Sequence, residues 1–321
     1  AKEGHRVQVY DANAHRASDA VLEQVLLADR WDVIALGGIT TAYRSIKHIV
    51  EMARRLCPGT VIVLGGGVLT SLPHEVMGLL PEVNLGVVGE GFRSFPASLR
   101  GQPFWTVPGI IFRNSISVAG LTQRATQVTA PAPLLDDLDS LPYPAWDMFP
   151  LDIYFKNSMA LYSEEGMLAR RRLDINASYG CSLICRFCFH LGTTGEMEYV
   201  EKDGRTDVTF GYKRAIRYHS PQYIVDIVKH VRQTYDVDFI GFLDENLMTM
   251  HQASGKTWLT DIARLWDQGW SPAPVHPGWG APRPGPLLGR PLGRHLARHA
   301  VQPRSPQDQP AVGVHAPRIR L

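Results

Sequence analysis

Residues 176–190 read NASYGCSLICRFCFH and place Cys181, Cys185 and Cys188 in a C-x3-C-x2-C array directly after a candidate strand, Leu173 to Ser178. Three thiolates on one tight loop can cap three irons of a cubane and leave the fourth iron without a protein ligand. A structural zinc site instead needs four protein ligands, commonly from two C-x2-C pairs. The chain has four cysteines, and the one outside the array, Cys57, reads as a half-buried residue at the end of a helix. Three buried cysteines meeting by chance, or zinc completed by His190, fit less well than a [4Fe–4S] cluster. The spacing, the aromatic Phe187 before the last cysteine and the preceding strand all agree on the cluster.

Working outward toward the amino terminus, the first hundred residues alternate strand and helix. Strands are expected at His5 to Tyr10 (HRVQVY), Trp31 to Leu36 (WDVIAL), Thr60 to Leu64 (TVIVL) and Asn84 to Val88. Helices are expected at Ser18 to Ala28, with Val21, Leu22, Val25 and Leu26 on one face, at a segment turning Ile46, Ile49, Val50 and Ala53 inward, and near His74 to Leu80. His74 itself reads as a surface residue. This alternation predicts an α/β fold, a doubly wound, flavodoxin- or Rossmann-like parallel sheet with helices on both faces. Ligands of such a sheet sit beyond the carboxyl ends of its strands, where glycine recurs: Gly37-Gly38, Gly65-Gly66-Gly67 and Gly89-Glu90-Gly91. The opening AKEGHRVQVYD reads as a helix tail entering a second strand, so a strand and helix are expected to precede it.

Toward the carboxyl terminus, Pro103 to Pro150 holds an expected hairpin around Gly109 to Val118. The proline-punctuated LDSLPYPAWDMFP follows, and it reads as a connector. The second βα series begins with the strand before the cysteines. Ser220-Pro221 has the cap and first-turn chemistry of a helix running to about Thr234, Asp238 to Leu243 (DFIGFL) reads as a strand, and Lys256 to Leu265 as a helix. The last 51 residues hold 11 prolines and 7 arginines, no lysine, tyrosine or phenylalanine, and one acid, Asp308. A segment of this kind buries too little apolar surface to offset its ordering entropy. The abrupt shift in composition favours a shifted reading frame or a mis-assembled end over a natural basic tail. The expected units are therefore 1–102, a connector at 103–165, the second βα series at 166–268 and a tail at 269–321.

Composition narrows the function classes. With 33 basic and 31 acidic residues, the net charge of +2 carries no polyanion-binding signature, so nucleic acid is not an implied partner. No run of 18 uncharged apolar residues and no charged leader before an apolar stretch is visible, so neither membrane nor secretion is implied, and the cytoplasm is the expected compartment. Three cysteines within eight positions fit a reducing environment that keeps thiolates available for metal.

With these residues in place, the chain resembles the radical S-adenosylmethionine (SAM) superfamily, and within it the class with an amino-terminal cobalamin (B12)-binding domain. The resemblance covers about residues 1 to 268 and rests on the cysteine loop, the domain order, WDVIALGGIT, VIVLGGGV and VVGEG, and LPYPAWDMFP. It implies a B12-binding domain followed by the first part of a radical SAM (β/α) barrel, with only two βα units recognisable where about six are normal. From that shortfall the chain is expected to be an inactive fragment. The implied cofactors are the [4Fe–4S] cluster, SAM and cobalamin. The implied partners are a small-molecule substrate and a reductant such as flavodoxin or ferredoxin. Phe187 would pack by the adenine of SAM, and Asp244 or Glu245, after DFIGFL, would meet its amino group. The cobalamin would lie on Gly38, Gly65, Gly66, Gly67, Gly89, Glu90 and Gly91. The D-x-H-x-x-G segment by which many B12 proteins supply a histidine to cobalt is absent, since Asp11 is followed by Ala12, Asn13 and Ala14 with His15 out of place. The resemblance implies methyl transfer to an unactivated carbon or phosphorus centre, or else a cyclisation or rearrangement with the same cofactors. A non-catalytic corrinoid or cluster carrier is the reading from a different class.

Overall fold

A computed structural model describes residues 4–118, 121–157, 169–183, 197–210, 216–244 and 246–269. Cys185, Phe187, Cys188, His190, Glu245 and the 51-residue tail lie outside the described residues.

The first sheet has five strands in the order β1-β2-β3-β4-β5: Val33–Gly37, Val61–Gly65, Leu85–Val87, Ile110–Val118 and Leu121–Val128. The first three are parallel, in the register Val33↔Val61 and Val63↔Leu85, and β4 and β5 follow antiparallel. Strand alternation sends Ile34, Leu36, Ile62 and Leu64 to one face and Val63 and Val87 to the other. The first face is packed by α1 (Asp19–Leu27), α2 (Tyr43–Leu56), α3 (Gly67–Ser71) and α4 (Pro73–Leu79). The second is packed by α5 (Gly91–Leu99) through Phe95 and Ala97. The α/β architecture with a parallel sheet is therefore as expected. Ile46, Ile49, Val50 and Ala53 of α2 are all buried, and Cys57 is half-buried just past its end.

Four expectations need correction. Residues 5–10 form no strand, because among the described residues no neighbour supplies ladder hydrogen bonds to them. Val21 is exposed, since α1 is anchored by Leu22 and Leu26 alone. The hairpin is longer than expected: β4 and β5 run from Ile110 to Val128 and extend the first sheet through β3. His74 is only 4% exposed. Its Nε2 lies 2.6 Å from the Thr206 carbonyl and its Nδ1 2.6 Å from Thr126 Oγ1. A carbonyl oxygen only accepts, so Nε2 is the donor in the first of these contacts. The burying element is a hairpin far along the chain, β8 (Met197–Lys202) and β9 (Arg205–Phe210), whose Tyr199 and Val208 pack against the first core.

The second series begins after α6 (Leu151–Asn157) with β6 (Arg172–Ile175) and the short β7 (Ser178–Tyr179), which pairs antiparallel with β10 (Arg217–Tyr218). Helix α7 (Pro221–Tyr235) carries the expected cap, with Ser220 Oγ accepting from the Tyr223 N–H. It leads to β11 (Phe239–Phe242), parallel to β6 in the register Leu173↔Ile240. Leu173, Ile175, Ile227 and Val231 form the core between this pair and α7. The result is one βαβ unit, the repeat from which a (β/α) barrel is built. It is closed by α8 (Met248–Ala253) and α9 (Trp258–Gly269), which bury Met250 and Trp258 against Ile224.

Candidate functional site

Two neighbouring loop sets carry the candidate chemistry. The first lies beyond the carboxyl ends of β1, β2 and β3. Gly66 there has φ +82°, and a Cβ on it would stand 2.7 Å from both the backbone N and O of Gly38. Only glycine admits that approach. The Val68 N–H then donates to the Gly38 carbonyl at 3.0 Å, which stitches the first two strand ends together. Gly89, at φ +77°, donates its N–H to Thr70 Oγ1 at 3.0 Å and brings the third strand end alongside. Gly65 is the last residue of β2, Gly67 the first of α3 and Gly91 the first of α5. Gly38 packs against Ala42 and Ile46.

A cavity of about 720 Å³ opens from these strand ends along the second face of the sheet, bounded by Val9, Ala35, Gly66, Gly89, Phe92 and Phe95. Its size and mainly apolar lining are those of a small-molecule site. Gly66 and Gly89 border this apolar cavity with no side chain of their own, which fits a nucleotide-like tail such as cobalamin carries. Asp11 is engaged within the fold. It is buried and accepts from the N–H groups of Asn13 and Ala14 at 3.0 and 2.9 Å and from the Tyr154 hydroxyl. His15 stacks on Tyr10 with centroids 4.9 Å apart.

The second loop set follows β6 and β11. Gly180, at φ +98°, turns the chain from β7 into Cys181, which is half-buried. The next residue, Ser182, sets its hydroxyl 3.0 Å from Thr249 Oγ1 of α8. Asp244 lies at the carboxyl end of β11, as expected of a barrel site residue. Its Oδ2 accepts from the Ala177 N–H at 2.9 Å and its Oδ1 from the Ser178 hydroxyl. One carboxylate thus ties the ends of both parallel strands just before the cysteines.

Glu90 stands apart from its glycine neighbours. Its carboxylate is 9% exposed and forms a two-pronged ion pair with Arg217, which is 7% exposed. Arg217 Nη1 is 2.8 Å from Glu90 Oε2 and 2.9 Å from the Leu135 carbonyl. The guanidinium lies 5.7 Å from the centre of the Tyr179 ring, and Phe92 meets that ring edge-on at 5.7 Å. The sequence reading missed Arg217. Its one cue is a cation inside the short apolar run IRY, where a buried strand leaves it needing a partner.

A second missed group is His219, whose Nδ1 is 2.9 Å from Asp139 Oδ1 and whose ring stacks on Tyr223 at 3.9 Å. Burial pushes the His219 pKa down, against the pull of Asp139. Burial pushes Asp139 up, but bonds from Ser220 and His219 outweigh it and leave its pKa lowered. This pair pins the connector to the second unit, and within that unit Trp258 Nε1–H donates to the His219 carbonyl at 2.8 Å.

Comparison with known proteins adds to this geometry. Residues 1–99 match the B12-binding family, described as the B12 binding domain. An uncharacterized methyltransferase of Pyrococcus horikoshii is 21% identical over 248 residues, which are 76% of this chain and 46% of that protein. The cytidylyl-2-hydroxyethylphosphonate methyltransferase of Streptomyces wedmorensis is 24% identical over 67% of this chain and 40% of its own length. The anaerobic magnesium-protoporphyrin IX monomethyl ester cyclase of Synechocystis is 23% identical over 76% of this chain and 42% of its own. The chain spans less than half the length of these relatives. A solved structure of the apo cobalamin-dependent S-adenosylmethionine radical enzyme OxsB aligns with TM-score 0.48 at 16% identity, over 77% of this chain and 30% of that one. The family match and the named relatives bear out the resemblance to the cobalamin-binding radical SAM class. No described helix is long and apolar enough to cross a membrane.

Proposed function

We propose that the protein is a cobalamin-dependent radical SAM enzyme that transfers a methyl group to an unactivated carbon or phosphorus centre. One observation carries this reading. The loop that opens the C-x3-C-x2-C array leaves β7 directly beside the glycine loop of a domain matching the B12-binding family, with Phe92 of one against Tyr179 of the other. The two candidate cofactor loops, which would have to cooperate in this reaction, are thereby neighbours. When bound, the cluster would supply the electron that cleaves SAM to methionine and a 5′-deoxyadenosyl radical, and cobalamin would carry the methyl group.

The chain's own part is positional. Cys181, Cys185 and Cys188 are the cluster ligands in this reading, and their chemistry as three thiolates suits it. Asp244 holds the root of that loop through Ala177 and Ser178, and it remains the candidate partner for the SAM amino group, with Glu245 beside it. Phe187 is the candidate for the adenine. Phe92, Tyr179 and Phe95 offer apolar surface that keeps water from the space between the loops. Gly38, Gly65, Gly66, Gly67, Gly89 and Gly91 are the candidate cradle for cobalamin. The proposed partners are a small-molecule substrate and a flavodoxin- or ferredoxin-like reductant, and the proposed compartment is the cytoplasm.

Anaerobic reconstitution with iron and sulfide tests the reading. Iron–sulfur charge-transfer absorbance and reductive cleavage of SAM to methionine and 5′-deoxyadenosine are expected. Folded protein containing zinc, or no iron, would overturn it. Retained cobalamin without SAM cleavage would favour a carrier. The cyclase among the relatives supports a second reading, ring formation without methyl transfer. Isotope from methyl-labelled SAM appears in the product of a methyltransferase and not in that of a cyclase.

A further inference from the structure

We infer that the Glu90–Arg217 ion pair is the joint that fixes the cysteine loop relative to the glycine loop of the first sheet, and that Arg217 is a positioning residue. What the joint positions rests on the function proposed above, whereas the joint itself rests on this chain's own residues.

Three segments converge on one guanidinium. Glu90 lies between Gly89 and Gly91 at the end of the parallel strands, Leu135 lies in the connector, and Arg217 lies in β10. Through its backbone, Arg217 pairs with Tyr179, and only Gly180 separates Tyr179 from Cys181. Through its side chain, it engages both oxygens of Glu90 and the Leu135 carbonyl, and it lies near the Tyr179 ring.

Apolar packing would hold these segments together as firmly, because taking both charges out of water cancels much of their attraction. What a two-pronged pair adds is one allowed geometry, since the planar guanidinium fork meets a carboxylate in register or not at all. Phe92 and Tyr179, meeting edge to face in the same place, could slide by themselves. The ion pair removes that freedom at the point where the two candidate cofactor loops approach.

The test measures backbone hydrogen exchange on the full chain without cofactors, comparing the native protein with Glu90→Gln. Exchange at 178–181 is expected to rise at least about tenfold, although these residues lie far from position 90 in sequence, with 61–65 unchanged. A rise confined to 89–91, or an equal rise at 61–65, would overturn the inference. Arg217→Lys keeps the charge but loses the fork, so it should raise exchange at the same segment by less. It serves as the second variant if Glu90→Gln does not fold, and native-like exchange in it would also count against the joint.

On protein reconstituted with both cofactors and reduced with dithionite to paramagnetic [4Fe–4S]+ and cob(II)alamin, the magnetic coupling between the two reports their separation. Arg217→Lys should change it at unchanged iron and cobalamin content, an effect that mere stability would not produce. Unchanged coupling would overturn the positioning role. If the native protein takes up no cobalamin, the cofactor reading falls and the exchange result stands on its own.

Discussion

In the first sheet each parallel strand runs out into glycine, and glycine backbone groups take part in every stitch between strand ends: the Gly38 carbonyl accepts from the Val68 N–H, and the Gly89 N–H donates to the Thr70 hydroxyl. Around β6 and β11 the ends are tied by side chains instead, with Asp244 reaching Ala177 and Ser178 and Arg217 reaching Glu90. In the proposed function the two ends admit different things. A bulky cofactor tail reaches a strand end most easily where side chains are absent, and glycine backbone there takes over part of the stitching. A metal-binding loop needs its thiolates placed from outside, and carboxylate and guanidinium groups do this through specific hydrogen bonds.

The contrast can be broken most sharply at the cysteines. Cys181→Ala should abolish iron retention and SAM cleavage, measured by iron content and product analysis, while thermal unfolding of the iron-free protein stays near native. A large loss of apo stability would mean that the loop is held by packing. Next in size is Gly66→Ala, which forces a methyl against Gly38 at a φ of +82°. Strain and overlap together should cost about 3 kcal/mol in denaturant unfolding and reduce cobalamin uptake. A neutral result there would show that the strand ends yield. Asp244→Asn leaves the size unchanged but removes a charge from two hydrogen bonds. It should destabilise the second unit by about 1–3 kcal/mol, with hydrogen exchange rising at 176–182 and not at 61–65.

The smallest expected effect is one of pH. His219 titrates below its usual value of about 6.5, so the unfolded chain binds its proton more readily than the folded one. Its contribution to stability is therefore complete above about pH 6.5 and is lost as pH falls through the lowered pKa. Asp139, also lowered, adds a second loss further into acid. His219→Asn keeps a donor toward Asp139 and should flatten only the upper part of this dependence in pH-resolved thermal unfolding. An unchanged slope would place the acid sensitivity elsewhere.

Much of this contrast was legible in the residues. Hydrophobic periodicity located α2 with its inward face, the glycine-ended strands and the Ser220 cap, because each depends on neighbours within a turn or a strand length. The cysteine array suggested a cluster through its spacing, the aromatic before the last cysteine and the preceding strand, while Cys185 and Cys188 lie outside the described residues. The strand expected at His5 to Tyr10 failed for a related reason: a β pattern states what a segment can do once paired, and not whether a partner is there.

What tertiary structure alone decided are the contacts whose partners lie far apart in sequence. His74 looked like a surface residue until Thr206, 132 positions later, covered it. Arg113 of β4 caps α4 by donating to the Met77 and Leu80 carbonyls, more than thirty positions earlier. Glu90 looked like part of a ligand loop, and its partner is 127 residues away. Local patterns record the cost of exposing apolar surface, a property each residue carries with it. The partner of a buried charge is set by where the folded backbone brings two distant segments together.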